Sequence, residues 1–184
     1  TAAVSASKCF DAATVVQQIF HRPSFRVYTS KDPIGVELGG ALKNVIAIAA
    51  GASAGLGFGD NSKAALVTRA IAEIRRLGLA CGAKSETFSG LGGLGDLTVT
   101  CFSSLSRNYQ FGQRIGRGEN LKDILETSIS AIEGFPTSRS AWNLARKRKV
   151  DTPIIDEVYA MLYKGKDLRQ ALLDLTTRSS KSED

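Results

Sequence analysis

From Pro33 to Gly59 nearly every position is small or apolar, and Leu38, Ala41, Leu42, Val45, Ile46 and Ala49 recur at the i, i+3, i+4, i+7 spacing of a core-facing helical stripe. The helix so predicted runs to about Ala54, where Gly55-Leu-Gly-Phe-Gly59 turns the chain. A second helix, capped by Asp60 or Asn61 and ended by Gly82, would bury Val67, Ala70, Ile71, Ile74 and Leu77. Arg69, Glu73 and Arg76 fall opposite that stripe, as i±3 and i±4 charge pairs. Further helices are expected over 109–115, 121–130, 137–147, 154–163 and 167–176, with a fraying tail from Ser179. Before Asp32-Pro33 the pattern differs: 2–7 alternates weakly as a strand, Asp11 can cap a helix through Phe20, and 25–29 reads as a second strand. A strand, helix and strand within thirty residues look like the end of an α/β domain, and almost everything after them is helical.

One charge interrupts the apolar helix. Lys43 sits among Gly39, Gly40, Ala47 and Ala50, residues small enough to leave a channel where another backbone or a ligand could approach. A helix that is apolar nearly all round is internal, and a buried lysine tends toward neutrality unless an anion or carboxylate holds its charge. The pattern leaves two readings open: a packed stem whose head snorkels to water, or an acid/base or anion-binding group.

The 184 residues, 43% hydrophobic and 23% charged, suffice for one domain, or a domain and a fragment, with a real core, and exclude a disordered chain. A net charge of +6 fits phosphates, nucleotides or nucleic acid without choosing among them. The densest basic run, Arg146-Lys147-Arg148-Lys149, follows a predicted helix and reads as a solvated C-terminal end rather than a nucleic-acid patch. Cys9, Cys81 and Cys101 are far apart, with His21 as the single histidine, which points to a reducing compartment and no metal site. The stretch 45–59 is shorter than the roughly 20 residues of a membrane helix and is broken by glycine, so no span is expected. A start at Thr1, with neither initiator Met nor signal peptide, suggests a processed product or a piece of a longer protein.

A second stretch, Gly90-Leu-Gly-Gly-Leu-Gly-Asp96-Leu-Thr-Val-Thr100, concentrates polar chemistry behind glycines. Gly90, Gly92 and Gly95 satisfy G-x-G-x-x-G, but a dinucleotide fingerprint follows a strand and opens a helix, and 84–89 makes no convincing strand. The glycines are better read as a tight backbone turn delivering Asp96 and Thr100 into a pocket. Ser106 is a good N-cap, placing Arg107 and Asn108 in a first turn whose free N–H groups, with the arginine fork, suit an anion; a capped surface helix with an ordinary arginine is the plainer reading of this segment alone, but not in combination with the Lys43 helix.

The ordered set Gly39-Gly-Ala-Leu-Lys43-Asn44-Val, Gly95-Asp96-Leu-Thr-Val-Thr100-Cys, Ser106-Arg107-Asn108 and Ile132-Glu133-Gly134 resembles the NAD(P)-dependent glycerol-3-phosphate dehydrogenases, most closely their bacterial and plastid-type branch, along essentially the whole chain. The resemblance implies a mainly α fold, a multi-helical C-terminal domain of the 6-phosphogluconate-dehydrogenase-like type over 31–184. Before it, residues 1–30 would be a β-α-β remnant of a Rossmann domain whose remainder, with a second family lysine, is missing. It further implies interconversion of dihydroxyacetone phosphate and sn-glycerol 3-phosphate with NAD or NADP, feeding glycerolipid synthesis, in a protein that is a homodimer at full length and lies in the cytoplasm or plastid stroma.

By the same resemblance Lys43 is the catalytic acid/base, and Asn44 and Asp96 hold it and the substrate hydroxyls. Thr100, Ser106, Arg107 and Asn108 surround the substrate phosphate, with Arg107 also near the cofactor, and Glu133 lies at the cofactor. Phe135 departs from the small or branched residue usual after that glycine, leaving the pocket edge open. The alternative function is a catalytically silent basic helical module that binds nucleic acid or an acidic protein. On the dehydrogenase reading, these 184 residues alone should give negligible NADH oxidation with dihydroxyacetone phosphate; robust turnover in a coupled absorbance assay would overturn it.

Overall fold

The computed structural model describes residues 1–128 and 130–178. Strand β1 (Ala2–Ala6), helix α1 (Phe10–Phe20) and strand β2 (Arg26–Ser30) open the chain, with β1 and β2 parallel and Val4 opposite Tyr28. The α1 N-cap is Cys9, and Asp11 lies instead in the first turn, where a carboxylate favours the dipole. Val15, Val16, Ile19 and Phe20 leave an apolar face of α1 exposed.

The helical body begins at α2 (Pro33–Gly55), with Pro33 preset for the first turn and Asp32 as its cap. Asp32 accepts from the Gly35 N–H at 3.0 Å, the Lys84 N–H at 2.8 Å and the Thr87 hydroxyl at 2.6 Å. Burial pulls its pKa upward, but these three donors hold the carboxyl below the usual aspartate value, so one side chain starts α2 and ties it to the segment before the glycine run. At 23 residues and a mean hydropathy of 1.3, α2 is long and apolar enough to cross a membrane, so the length argument for excluding a span fails. It is the core helix: Val45, Ile46, Ala47, Ile48 and Ala50 have no exposed surface, and α3, α4, α5, α7 and α8 pack around it. Each fully buried Ile or Leu there contributes about 1.5–3 kcal/mol relative to an exposed one. Ala41, expected on the buried stripe, faces solvent.

Helix α3 (Asp60–Ala80) starts from Gly59, which offers no side-chain cap, so neither Asp60 nor Asn61 fills that role; Gly82, at φ +89°, follows its end as expected. Next come a 3₁₀ turn (Ser85–Ser89), a π-helical turn (Leu91–Gly95) and α4 (Asp96–Phe102), a helix absent from the sequence-based expectation. Then follow α5 (Arg107–Gly116), α6 (Leu121–Thr127), α7 (Gly134–Arg148), α8 (Pro153–Lys164) and α9 (Leu168–Thr176). The fold is thus mainly helical with one short parallel strand pair, in line with the expected class. Ile129, inside the predicted 121–130 helix, and the tail from Ser179 lie outside the described residues. The basic run does end α7, with Lys149 left-handed at φ 55° and Arg146 bonded to both carboxylate oxygens of Asp156.

Helix α5 crosses α2 on glycine. A Cβ at Gly51 would stand 1.9 Å from the Tyr109 carbonyl oxygen, one at Gly112 2.0 Å from that of Ile48, and Gly55 and Gly116 abut each other. Each helix thus presents two glycines four apart, on one face, and the backbones touch.

Glu73 corrects the surface reading of α3. It is 1% exposed, and its two carboxylate oxygens each accept a backbone N–H, from Ile154 and Ile155, at 2.9 Å. The donors are the free N–H groups that open α8, so Glu73 caps a helix from outside it. Burial pushes its carboxyl up to about 7, against the two N–H bonds that pull it down. A folded-state value above the ordinary 4.5 means that its contribution is full below pH 4.5 and is lost as pH rises through 7. Glu73→Gln, which keeps one acceptor and does not titrate, should be less stable by about 1–3 kcal/mol at pH 5 in urea unfolding. The gap should shrink by up to ~3 kcal/mol by pH 8. A gap that does not change with pH would contradict this account.

Candidate active site

Lys43 leaves α2 toward the start of α4, where its ammonium is hydrogen-bonded to Asp96 Oδ2 in an ion pair. The lysine is not the fully buried one expected: its side chain is 23% exposed and that of Asp96 34%, so the pair sits at a wall open to solvent. Gly39, one turn earlier, brings α2 against the glycine run, where a Cβ would lie 2.1 Å from the Gly92 carbonyl oxygen. Gly40 faces open space, whereas Ala47 and Ala50 are sealed in the core. The channel inferred beside Lys43 is therefore half filled by backbone and half open.

The π-helical turn aims Asp96. Its defining bond runs from the Gly95 N–H to the Gly90 carbonyl at 3.1 Å. The element directly before it is a 3₁₀ turn and not a strand, which removes the dinucleotide reading of Gly90, Gly92 and Gly95. Leu97 and Cys101 bury one face of α4, and burial pushes the Cys101 thiol up to about 12, leaving it inert. Thr100 stands one turn after Asp96, on the same face, with its hydroxyl donating to the Asp96 carbonyl at 2.6 Å.

A second cluster forms around Asn44. Its Oδ1 accepts from Asn108 Nδ2 at 3.0 Å and its Nδ2 donates to Glu133 Oε2 at 3.1 Å. Asn108 Oδ1 in turn accepts the Gly134 N–H at 2.8 Å, so two asparagines tie α2, α5 and the start of α7 into one frame. Gly134 is required there: a Cβ would meet the Asn44 carbonyl oxygen at 2.6 Å and Asn108 Oδ1 at 2.8 Å. Ser106 caps α5, accepting the Tyr109 N–H at 3.3 Å, which places Arg107 at the first helical position. The Arg107 guanidinium lies 3.8 Å from Glu133 Oε1, both side chains more than half exposed. Phe135 packs toward the helical body. It stacks on Tyr163 at 4.8 Å and meets Phe111 edge-on at 6.2 Å, inside the helical body.

The residues proposed for the site thus fall into two groups, Lys43, Asp96 and Thr100 in one and Asn44, Ser106, Arg107, Asn108 and Glu133 in the other, joined at the peptide between Lys43 and Asn44. The backbone N–H of Gly134 is the member that sequence reasoning missed. Its one signal was a glycine opening a helix directly after a candidate site acid. An ammonium paired with a carboxylate can give and take a proton, and a capped helix start with a free guanidinium face can hold an anion. Among the described residues no group of three His, Cys, Asp or Glu side chains could hold a metal.

The model for the C-terminal part of NAD-dependent glycerol-3-phosphate dehydrogenases matches residues 32–173. The glycerol-3-phosphate dehydrogenase (NAD(P)+) of Geobacter metallireducens is 53% identical over 183 residues, which span all of this chain and 55% of that protein; that of Levilactobacillus brevis is 50% identical. The crystal structure of the Coxiella burnetii glycerol-3-phosphate dehydrogenase, at 40% identity, superposes with a TM-score of 0.93 over 97% of this chain and 55% of its own. The Saccharomyces cerevisiae enzyme, at 27% identity, gives 0.78 over 86% of this chain and 46% of its own. The chain therefore spans about half the length of the relatives that it matches.

Asn108→Ala would leave the buried Gly134 N–H without its acceptor and Asn44 without a donor. The expected cost is about 1–3 kcal/mol in chemical denaturation, with Asn108→Ala and Asn44→Ala strongly non-additive in a double-mutant cycle. Additive effects would show that the frame is not coupled.

Proposed function

Because the chain belongs to the NAD-dependent glycerol-3-phosphate dehydrogenase family, we propose that it carries the substrate site of an oxidoreductase interconverting dihydroxyacetone phosphate and sn-glycerol 3-phosphate. The observation that carries this reading is the Lys43–Asp96 pair set beside the asparagine frame and the Arg107 helix start. The cofactor, NAD or NADP, supplies or accepts a hydride at substrate C2. At the site's edge the exposed Arg107 fits the anionic part of a nucleotide, and Glu133 beside it would accept from the nucleotide's hydroxyl or amide groups.

The rest of the chemistry belongs to this chain. In reduction the Lys43 ammonium donates hydrogen bonds to the C2 oxygen and passes it a proton as negative charge grows there, leaving a neutral amine that solvent reprotonates. In oxidation the neutral amine takes the hydroxyl proton. Asp96 keeps the ammonium oriented through its ion pair and, with Asn44, is within reach of substrate hydroxyls. The phosphate lies against the start of α5, received by Arg107 and by Asn108, with Ser106 and Thr100 bounding the space.

Residues 1–30 are proposed as the end of the NAD(P)-binding domain, a reading supported by the exposed apolar face of α1 and by a parallel pair of strands too small to stand alone. The exposed Leu91, Leu94, Val99, Phe102 and Leu105 support a homodimer, and three free cysteines support a reducing setting, the cytoplasm or plastid stroma. A route into glycerolipid synthesis follows from the product. Family membership does not favour the silent binding module.

The test joins this chain to the remainder of the Geobacter metallireducens relative. The fusion should oxidise NADH or NADPH with dihydroxyacetone phosphate, and Lys43→Met should lower kcat by ~10²–10⁴-fold, the range for loss of a general acid. A Lys43→Met protein that keeps more than about a tenth of the rate would remove Lys43 from the proton step.

A further inference from the structure

Lys63 is a buried charge that the mechanism above does not use. It stands in the first turns of α3, 9% exposed, with its ammonium 3.2 Å from Asp60 Oδ1, 5.0 Å from the centre of the Phe102 ring and 5.3 Å from that of Tyr109. A lysine near a helix N-terminus works against the dipole, and burial lowers its pKa; within α3 it pairs with the exposed Asp60. Asp60 and Tyr109 outweigh burial and hold the ammonium above its ordinary value.

Two of those partners belong to the site. Phe102 is the last residue of α4, which carries Asp96 and Thr100, and Tyr109 lies in the first turn of α5, directly after Arg107 and Asn108. Between them the turn 103–106 is held by short-range bonds: the Ser106 N–H to the Ser103 carbonyl at 3.1 Å, the Leu105 N–H to Ser103 Oγ at 3.2 Å, and Gln110 Nε2 to the Ser104 carbonyl at 2.7 Å. Leu105 at its tip is 85% exposed. Lys63 reaches both ends of this turn from a third helix.

We propose that Lys63 is a positioning residue of the substrate site: its ammonium, beside the rings of Phe102 and Tyr109, fixes the end of α4 against the start of α5 and thereby places Arg107 and Asn108 relative to Asp96. The effect on catalysis rests on the function proposed above; the structural link does not. A cation beside two rings is replaceable by arginine, which keeps the attraction to both faces, but not by methionine, which keeps the bulk and replaces the charge with a weaker sulfur–ring contact.

Two measurements decide it. In amide hydrogen exchange of the 184-residue chain, Lys63→Met should speed the Tyr109 amide by about tenfold, from loss of the cation's attraction to two rings, while the α8 amides stay unchanged. Lys63→Arg should remain within about threefold of wild type at Tyr109. In the fusion protein, Lys63→Met should raise KM for dihydroxyacetone phosphate about tenfold with kcat nearly unchanged, and Lys63→Arg should restore KM. Uniform acceleration along the chain, or an unchanged Tyr109 amide, would reduce Lys63 to a packing residue. Should Lys63→Met not fold, Phe102→Leu, which removes one ring and leaves the ammonium, gives the same exchange readout. A wild-type fusion without activity would sink the substrate reading instead, and the exchange data would still judge the link.

Discussion

The contact between α2 and α5 is made by backbone on backbone. At Gly51, Gly55, Gly112 and Gly116 the two helices approach so closely that a single added carbon would overlap a carbonyl or an α-carbon. Such a crossing allows little rotation or sliding of either helix, and the site inherits that rigidity. Asn44 and Asn108 lie further along the same two helices, and their side-chain amides meet at 3.0 Å because the glycines have already fixed the axes. Without that crossing neither the frame around Gly134 nor the position of Arg107 would be determined.

Charge is distributed with similar economy. Lys43 and Arg107, the two cations assigned to the site, each face a carboxylate, Asp96 and Glu133, and both pairs lie where water still reaches them. A half-exposed pair can be loosened by an arriving anion at small cost, whereas a fully buried one could not. The buried acids serve the scaffold instead. Asp32 starts α2 and holds the 84–87 segment, and Glu73 ties α3 to the opening of α8. These two buried acids thus lie away from the place where charges must rearrange.

Much of this was legible in the sequence. The i, i+3, i+4 stripes located most helices to within a few residues, and the ordered Lys43, Asp96 and Ser106-Arg107-Asn108 motifs pointed to the candidate site through their resemblance to a known family, the pattern alone having left Lys43 open between packing and chemistry. The errors have physical causes. Glu73 read as a surface residue because periodicity tells which face it occupies on α3 but not that the start of α8 comes to that face. Helix α4 was hidden because Thr98, Val99 and Thr100 disfavour helix on their own, and burial of Leu97 and Cys101 overrides them. Lys63 went unremarked because its ring partners are about forty residues away in sequence, beyond any local pattern.

Lys43 and Asn44 are consecutive residues on one helix, yet they serve different clusters, one toward α4 and the other toward α5 and α7. Adjacent positions on a helix differ by about 100° and 1.5 Å. Insertion or deletion of one residue between Pro33 and Lys43 would therefore swing both side chains off their partners at once, and the glycine crossing beyond them leaves the helix no freedom to turn back. The segment can accept exchanges of one side chain for another at many positions, as Ala41 on its outer face suggests, but its length is fixed.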